Sequence, residues 1–511
     1  MNHSNFYVTT PIYYPSGKPH MGHAYSSIIA DVFARFKRND KYKVYFLTGT
    51  DEHGLKIQKA AEKDGSDPLN YCDKISKIFK DLTKKLNLSN DDFIRTTEKR
   101  HYKSVTDIWN RLVKSGDIYL SKYKGWYSVS DEAYYNSDEI IEKNGKRYST
   151  FSGSIVEWVE EESFFFKLSS WQERLLEFYD KNDKFILPIS RRNEVVNFVK
   201  SGLKDLSVSR TSFTWGINVP NNDKHVIYVW LDALTNYISA LNFPNTNDKL
   251  YKNFWPATLH VIGKDILRFH AIYWPAFLLA AKIKPPSRVF GHGWILSGEE
   301  KMSKSKGNIL NPLEIIKKYG VDELRYYLMK EVPHGSDGTI SLKNLENCIN
   351  SDLANNYGNL CQRVFSFIKN NCKNKVTKTK NASDADKRLI AHTKALTSDL
   401  RNLMDNQNLN NYIKSVINIS FLTNKYINDE EPWKLKKNNI EKMNNILHLA
   451  LEQIAKISIL LNPIIPEKSL KVLDALNINT DSRNLAFLDG NNIIGDDIKI
   501  KKLDILFKKI P

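Results

Sequence analysis

Two short segments carry side chains suited to handling phosphate. In 17-GKPHMGHAYSSIIADVFARF-36, His20 and His23 stand three apart where a strand-like run gives way to a helical pattern, so both imidazoles share one face. The free N–H groups and dipole of a helix N-terminus attract phosphate, and Gly22 leaves room for a nucleotide to approach the backbone. Two imidazoles there can donate hydrogen bonds to phosphate oxygens as charge develops. The second segment, 298-GEEKMSKSKGN-308, is a glycine-flanked loop rich in lysines and hydroxyls. It can close over a triphosphate, its lysines countering the charge on an α-phosphate and a departing pyrophosphate. Alone, the first could be a His-rich helix start and the second an exposed basic turn; together they argue for chemistry on a nucleoside triphosphate.

The elements that position them are legible in part. Residues 6–10 (FYVTT) and 44–48 (VYFLT) read as strands followed by Gly- or Pro-bearing loops, with a helix at about 21–38 between them, a βαβ beginning. A stretch at about 116–220 is different, with short aromatic segments (YKGWYSVSDEAYY, ESFFFKL) and turn residues, which suggests a module inserted into the α/β unit. Strand-like runs resume at 225-HVIYVW-230 and 259-LHVIG-263. From about 346 the spacing is helical, as in 353-LANNYGNLCQRVFSFI-368 and 444-NNILHLALEQIAKISILL-461. Pro463 and Pro466 close the last long helix, and a segment with turn signals and a basic close, 500-IKKLDILFKKI-510, follows.

With 511 residues the chain exceeds one hydrophobic core, and about three to five domains are expected. At 41% hydrophobic and 26% charged it has the composition of a soluble globular protein. No apolar run approaches the ~20 residues of a membrane span. The start MNHSNFYVTTPIYYP lacks a basic flank before an apolar stretch, so no signal or transit peptide and a cytoplasmic location are expected. Cys72, Cys348, Cys361 and Cys372 show no CxxC spacing, implying neither a disulfide framework nor a cysteine zinc knuckle. The net charge of +17 suits a polyanionic partner. Lysine in a Lys/Asn/Ile-rich background such as 373-KNKVTKTK-380 could equally be compositional drift.

PHMGH resembles the HIGH signature, and KMSKS matches the second signature, of class I aminoacyl-tRNA synthetases, in the expected order across a long insertion. The resemblance narrows to methionyl-tRNA synthetases through 9-TTPIYYPSGKPHMGH-23, 48-TGTDEHG-54, 228-YVWLDAL-234, 262-IGKDILRFHAIYWP-275 and 428-NDEEPW-433. It implies an α/β fold, a Rossmann-type parallel-sheet catalytic domain with an inserted connective peptide domain, followed by an α-helical anticodon-binding bundle. The expected divisions are 1–115 and 221–290 for the two catalytic halves, 116–220 for the insertion, and 291–345 for the KMSKS loop and stem-contact region. The bundle is expected at 346–475, and a tail packing back at 476–511. The implied reaction joins methionine and ATP, with Mg2+, into methionyl-adenylate, then transfers the methionyl group to the 3′ end of initiator and elongator tRNA(Met). His20, His23 and Lys304 would stabilise the first transition state, while Lys301 and Ser303 shape the loop.

A flexible, polarisable thioether needs an apolar site with a carboxylate for the ammonium and few polar groups near sulfur. Ile12, Tyr14, Trp230, Ala233, Leu234, Tyr237, Ile266, His270 and Trp274 offer that inventory. Matched to the family, Asp51 would hold the α-amino group, Tyr14 and His270 would sit near the sulfur, and Trp230 and Trp274 would wall the pocket. Asp265 resembles the ribose-binding position, although an Asp just after a Gly could also cap the following helix. Gly291 and Gly293, in 291-GHGW-294, look like the adenine-side strand end. Asn359, Arg363, Pro432 and Trp433 match residues that read the CAU anticodon, by stacking and base-edge hydrogen bonds. Many relatives carry cysteine knuckles where 125-GWYSVSDEAYYN-136 has none, and with no Cys or His there the insertion is expected to fold without zinc. No β-barrel appendage is apparent after the bundle, so a monomer is expected. Enzymes for branched-chain amino acids are much longer, and one for cysteine is expected to need zinc. A non-catalytic tRNA-binding relic would have no use for intact His20, His23 and Lys304.

Overall fold

Six short strands build one parallel sheet: β1 (Asn5–Thr9), β2 (Lys43–Thr50), β3 (Asp92–Arg95), β4 (Ile186–Leu187), β5 (Leu259–Gly263) and β6 (Val289–His292). Their spatial order is β3-β2-β1-β5-β6-β4, with every pairing parallel. β5 and β6 are buried along their whole length, as near-continuous apolar runs in a doubly covered sheet should be. The order reverses between β1 and β5, and beyond the carboxyl ends of strands at such a switch point an α/β sheet opens a crevice. This computed structural model describes residues 4–131, 133–135, 137–297, 300–301, 311–379, 382–490 and 492–511. Ser303 and Lys304 lie outside them, and of Lys301 only the backbone is described.

The expected first helix is Met21–Asn39, buried on most of its surface against the sheet. The run 225-HVIYVW-230 departs from expectation. Asn222–Ile227 is a strand, but it pairs antiparallel with Ser209–Arg210 and Asn218–Val219 and never enters the parallel sheet. The chain then turns at Tyr228 into a short helix, Val229–Leu234. Apolar runs of this length do not by themselves distinguish a strand from a buried helix.

In the aromatic-rich stretch Ile118–Ser128 pairs antiparallel with Glu157–Phe166, and Ala133–Tyr135 and Leu206–Ser207 extend the sheet on either side. Asp131 holds its tip. Its carboxylate accepts hydrogen bonds from Tyr135 (2.8 Å), Ser154 (2.8 Å) and Ser152, joining two turns that are distant in sequence. Among the described residues no group of three or more His, Cys, Asp or Glu side chains is placed to hold a metal ion.

The second half is helical. Leu342–Cys348, a π-turn segment Ile349–Gly358, and Asn359–Asn371 run on into one another, and pack with Asp384–Thr397, Leu409–Glu430 and Ile440–Leu461. The final strand, Asp497–Lys499, returns to pair with Lys375–Thr377. Arg325 joins this bundle to the sheet. Fully buried, it donates to Asp31 of the first helix (2.6 Å), to the Leu86 carbonyl (3.0 Å), and to the Pro463 and Ile464 carbonyls (both 2.8 Å). Burial alone would raise the Asp31 carboxyl, but Arg325, Arg35 and Ser89 hold it below its usual value. No helix among the described residues is long and apolar enough to cross a membrane.

Candidate active site

A cavity of about 470 Å³ opens at the switch point. Its lining comes from the carboxyl ends of four strands. After β1 come Ile12, Tyr14, His20, Gly22 and His23; after β2, Asp51; after β5, Asp265, Ile266 and His270; at the end of β6, His292, Gly293 and Trp294. Trp230, Ala233 and Leu234 on the short helix, and Tyr237 just beyond it, complete one wall. The tip of the inserted hairpin, with Ser130, Asp131, Tyr135, Phe151 and Ser152, borders the mouth.

The two histidines make a reciprocal cap on the first helix. Gly22 N–H donates to His20 Nδ1 and His20 N–H donates to His23 Nδ1, both at 3.1 Å. Because each Nδ1 accepts, a neutral ring must carry its proton on Nε2, where it can be donated to a ligand. The rings stack at 3.8 Å, and Tyr13 and Phe79 pack against His23 at 4.9 and 5.2 Å. His292, absent from the expected set, supports the same helix. Its Nδ1 donates to the Gly293 carbonyl (2.8 Å), so its Nε2 accepts from Ser26 (2.7 Å). Burial keeps its pKa below the usual value. Gly293 allows no side chain, since a Cβ there would lie 2.0 Å from the Ser336 carbonyl oxygen.

The opposite end is walled by aromatic and aliphatic side chains. Trp230 lies flat on Phe269, with centroids 3.7 Å apart and planes 4° from parallel. Phe269 and His270 fall in a π-turn, Phe269–Tyr273, for which the chain supplies a cause. Pro275 has no N–H to return to the Ala271 carbonyl, and the buried Tyr179 hydroxyl takes that carbonyl at 2.7 Å. His270 Nδ1 meets the Ile266 carbonyl at 3.0 Å and must donate to it, so Nε2 accepts from the Tyr237 hydroxyl at 2.7 Å. Burial lowers the His270 pKa to about 4, and the ring is neutral at pH 7. The pair satisfies itself and leaves a weakly polar face in an aromatic wall.

Some expected residues sit differently. The Tyr14 hydroxyl donates to the His53 carbonyl at 2.7 Å, so Tyr14 offers the cavity mainly its ring; the couple facing the apolar end is Tyr237 and His270. Trp274 is not in the lining: it is wholly buried, 6.2 Å from the ring of the lining Tyr237 and 6.3 Å from that of Trp255, which does not line the cavity either. Gly291 lies within β6 against Arg191 and Leu267, one layer below the cavity. Asp265 is exposed and accepts from Trp294 Nε1 at 3.1 Å. Far along the chain, Asn359 and Arg363 lie half-exposed on one helix, with the Arg363 guanidinium 5.8 Å from the Trp433 ring and bonded to Asn428 (2.8 Å). Pro432 is buried at the start of its short helix and Trp433, beside it, is 39% exposed. Arg268, Phe269, His292, Trp294 and Asn236 also line the cavity. Of these, Trp294 and His292 lie inside GHGW and Arg268 and Phe269 inside 262-IGKDILRFHAIYWP-275, whereas Asn236 carried no sequence signal.

A parallel sheet with a paired-histidine helix start at its switch point defines a class I tRNA synthetase. A family model described as "tRNA synthetases class I (M)" matches residues 6–365, and "Anticodon binding domain of methionyl tRNA ligase" matches 376–511. The chain is 49% identical over 487 residues to a methionine–tRNA ligase of Brucella suis biovar 1, covering 95% of this chain and 94% of that one. To the Rickettsia typhi methionine–tRNA ligase it is 48% identical over 510 residues, 99% of this chain and 100% of that one. A Mycobacterium tuberculosis methionyl-tRNA synthetase in complex with methionyl-adenylate superposes with a TM-score of 0.96 at 42% identity, over 99% of both chains. The free-state form of the Mycobacterium tuberculosis enzyme superposes with 0.89 at 39% identity, over 100% of this chain and 99% of that one. The chain belongs to the methionine–tRNA ligase family.

Proposed function

We propose that this chain activates methionine with ATP, as its magnesium complex, to methionyl-adenylate, and transfers the methionyl group to the terminal adenosine of initiator and elongator tRNA(Met). One observation carries the reading: an apolar pocket and the stacked His20–His23 pair share one cavity with a carboxylate, Asp51, at the carboxyl end of β2. Asp51 would hold the α-ammonium. Ile12, Tyr14, Ala233, Leu234 and Ile266 would enclose the side chain, with Trp230 closing one wall. The Tyr237–His270 pair offers no strong donor, so a thioether loses little on entering, whereas a hydroxyl or amide would forfeit its water without replacement.

For the chemical step the methionine carboxylate attacks the α-phosphorus and pyrophosphate leaves. His20 and His23, each with its proton on Nε2, would donate to phosphate oxygens as negative charge builds, and Lys304 would counter the same charge. Asp265 would bind the ribose hydroxyls, and Gly22 and Gly293 would admit the nucleotide close to the backbone, with Gly291 supporting from β6. The tRNA hydroxyl then attacks the adenylate carbonyl and AMP leaves. Positioning accounts for most of the rate, as no protein nucleophile is needed. Asn359, Arg363 and Trp433 would read the anticodon, with Pro432 setting the orientation of Trp433. We further propose that it acts as a cytoplasmic monomer of the domain division expected from sequence.

ATP–pyrophosphate exchange with each of the twenty amino acids tests the reading. Methionine alone should support exchange, and Lys304→Ala and His23→Ala should each lower it by about two orders of magnitude or more. Exchange with another amino acid overturns the pocket assignment, and none with any amino acid overturns the activity.

A further inference from the structure

Behind the cavity, outside its lining, a buried carboxylate is gripped by two histidines. Asp232 Oδ2 accepts from His53 Nδ1 and Oδ1 from His101 Nε2, each at 2.6 Å, with all three side chains at most 2% exposed. Burial alone would raise the Asp232 carboxyl, but His53 and His101 pull it down to about 2, so it is ionised and both histidine nitrogens must be donors. The far nitrogens are braced in turn, His53 Nε2 by the Tyr102 hydroxyl (3.1 Å) and His101 Nδ1 by Ser239 Oγ (3.0 Å).

The placement of this group gives it a use. Asp232 lies on the helix Val229–Leu234, of which residues 229, 230, 233 and 234 line the cavity and Asp232 does not. His53 is two residues beyond Asp51, which does line it. The intervening Glu52 is locked from the other side by Arg95 (2.7 and 2.9 Å) and Thr97 (2.6 Å). Asp51 thus faces the cavity while its two successors are anchored. A buried ion pair is a poor source of stability compared with apolar packing, but a two-oxygen, two-donor clamp fixes direction and register in a way that apolar contact does not.

We propose that Asp232 is a positioning residue for amino-acid binding: held by His53 and His101, it locks the Asp51 loop to the helix bearing the side-chain wall, and so sets the affinity for the amino acid and not for the nucleotide. The inference rests on the reading that Asp51 receives the α-ammonium. Displacing such a group by a fraction of an ångström weakens binding without removing any contact.

The test is ATP–pyrophosphate exchange with methionine and ATP varied separately. Asp232→Asn, isosteric but with an acceptor at only one of the two positions and an NH2 donor at the other, should raise KM for methionine about ten- to a hundredfold, with KM for ATP within about twofold. His101→Gln, whose amide N–H can reach the same oxygen, should keep the wild-type KM, while His101→Ala should match Asp232→Asn. This second pair decides the matter if Asp232→Asn does not fold. An unchanged methionine KM in folded Asp232→Asn, both KM values rising together, or His101→Gln no better than His101→Ala would each overturn the proposal. Two controls separate it from the reading beneath it. Wild-type protein without methionine-dependent exchange would overturn the function itself, and an unchanged methionine KM in Asp51→Asn would overturn the ammonium assignment on which the clamp depends.

Discussion

The proposed amino-acid end of the cavity and the proposed anticodon-reading end of the bundle are built in opposite ways. At the first, Asp51, Tyr237 and His270 are buried, and Tyr237 and His270 are already bonded to each other. At the second, Asn359 and Arg363 are half-exposed, and Trp433 is 39% exposed over a buried Pro432. A small apolar ligand can be selected only by a pre-formed, water-excluding shape with few convergent polar groups. A splayed RNA loop presents faces and edges to be stacked upon, so its readers stand in solvent and bear little of the folding energy. Mutations at the first end should therefore disturb folding and specificity together, and mutations at the second should disturb one reaction and leave the fold alone.

The largest effect is expected where the two regions meet. Arg325→Met would leave Asp31 buried with less compensation and the Leu86, Pro463 and Ile464 carbonyls without their donor. A loss of about 3–5 kcal/mol in urea-unfolding stability is expected. Separate unfolding transitions for the two halves, with unchanged overall stability, would mean that the regions are less joined than the hydrogen bonds imply.

Trp433→Ala should lower kcat/KM for tRNA charging by about 1–3 kcal/mol, the worth of one base stacked on an aromatic ring. Methionine-dependent exchange and the melting temperature should stay unchanged. A fall in exchange of similar size would remove the contrast between the two regions.

Third is the pH dependence of stability. The folded pKa of His270 is pushed down by burial to about 4 from an ordinary 6.5. A depressed folded pKa means that the unfolded chain binds the proton first, so this contribution is present above pH 6.5 and is lost as pH falls through about 4. Between pH 7 and 5 wild-type protein should lose about 2 kcal/mol more than His270→Asn. Glu323 and Asp322, raised by burial to about 7 and about 6, push the opposite way, but both proteins carry them and the difference isolates His270. Parallel curves for the two proteins would show that the histidine is not held neutral.

How much of this was legible follows the same divide. The gathering of loop residues next to strands was readable: His20, His23, Asp51, Asp265 and Gly293 are set by local motifs, and all line one cavity. The bundle and three of the six sheet strands, β1, β2 and β5, were readable from periodicity, whereas the parallel sheet as a whole came from the family resemblance. What escaped depends on partners far apart in the chain. Phe269 faces Trp230 because a π-turn answers Pro275 and Tyr179, some ninety residues from the carbonyl it takes. Asp232 meets histidines 179 and 131 positions away. Trp274 and Trp230 have the same composition signal, yet one is a layer behind the other, and periodicity cannot rank depth within an all-apolar helix. The strand-like run at 225–230 is strand only to Ile227, in a small antiparallel sheet, and is helix from Val229, a division that a short apolar run does not signal.

The smallest expected effect bears on the finest of these distinctions. If the Tyr14 hydroxyl serves as a tether to the His53 carbonyl, Tyr14→Phe should cost about 1 kcal/mol in kcat/KM, the net worth of one neutral hydrogen bond. The loss should be equal for methionine and for norleucine, which replaces the sulfur by a methylene, because loosening the Asp51 loop affects the shared ammonium and not the side chain. If the hydroxyl instead turns inward to touch the sulfur once ligand is bound, methionine should lose more than norleucine and the ratio between them should fall. An unchanged ratio would leave sulfur recognition to the buried Tyr237–His270 pair, and a reduced one would return Tyr14 to the role that its sequence position suggested.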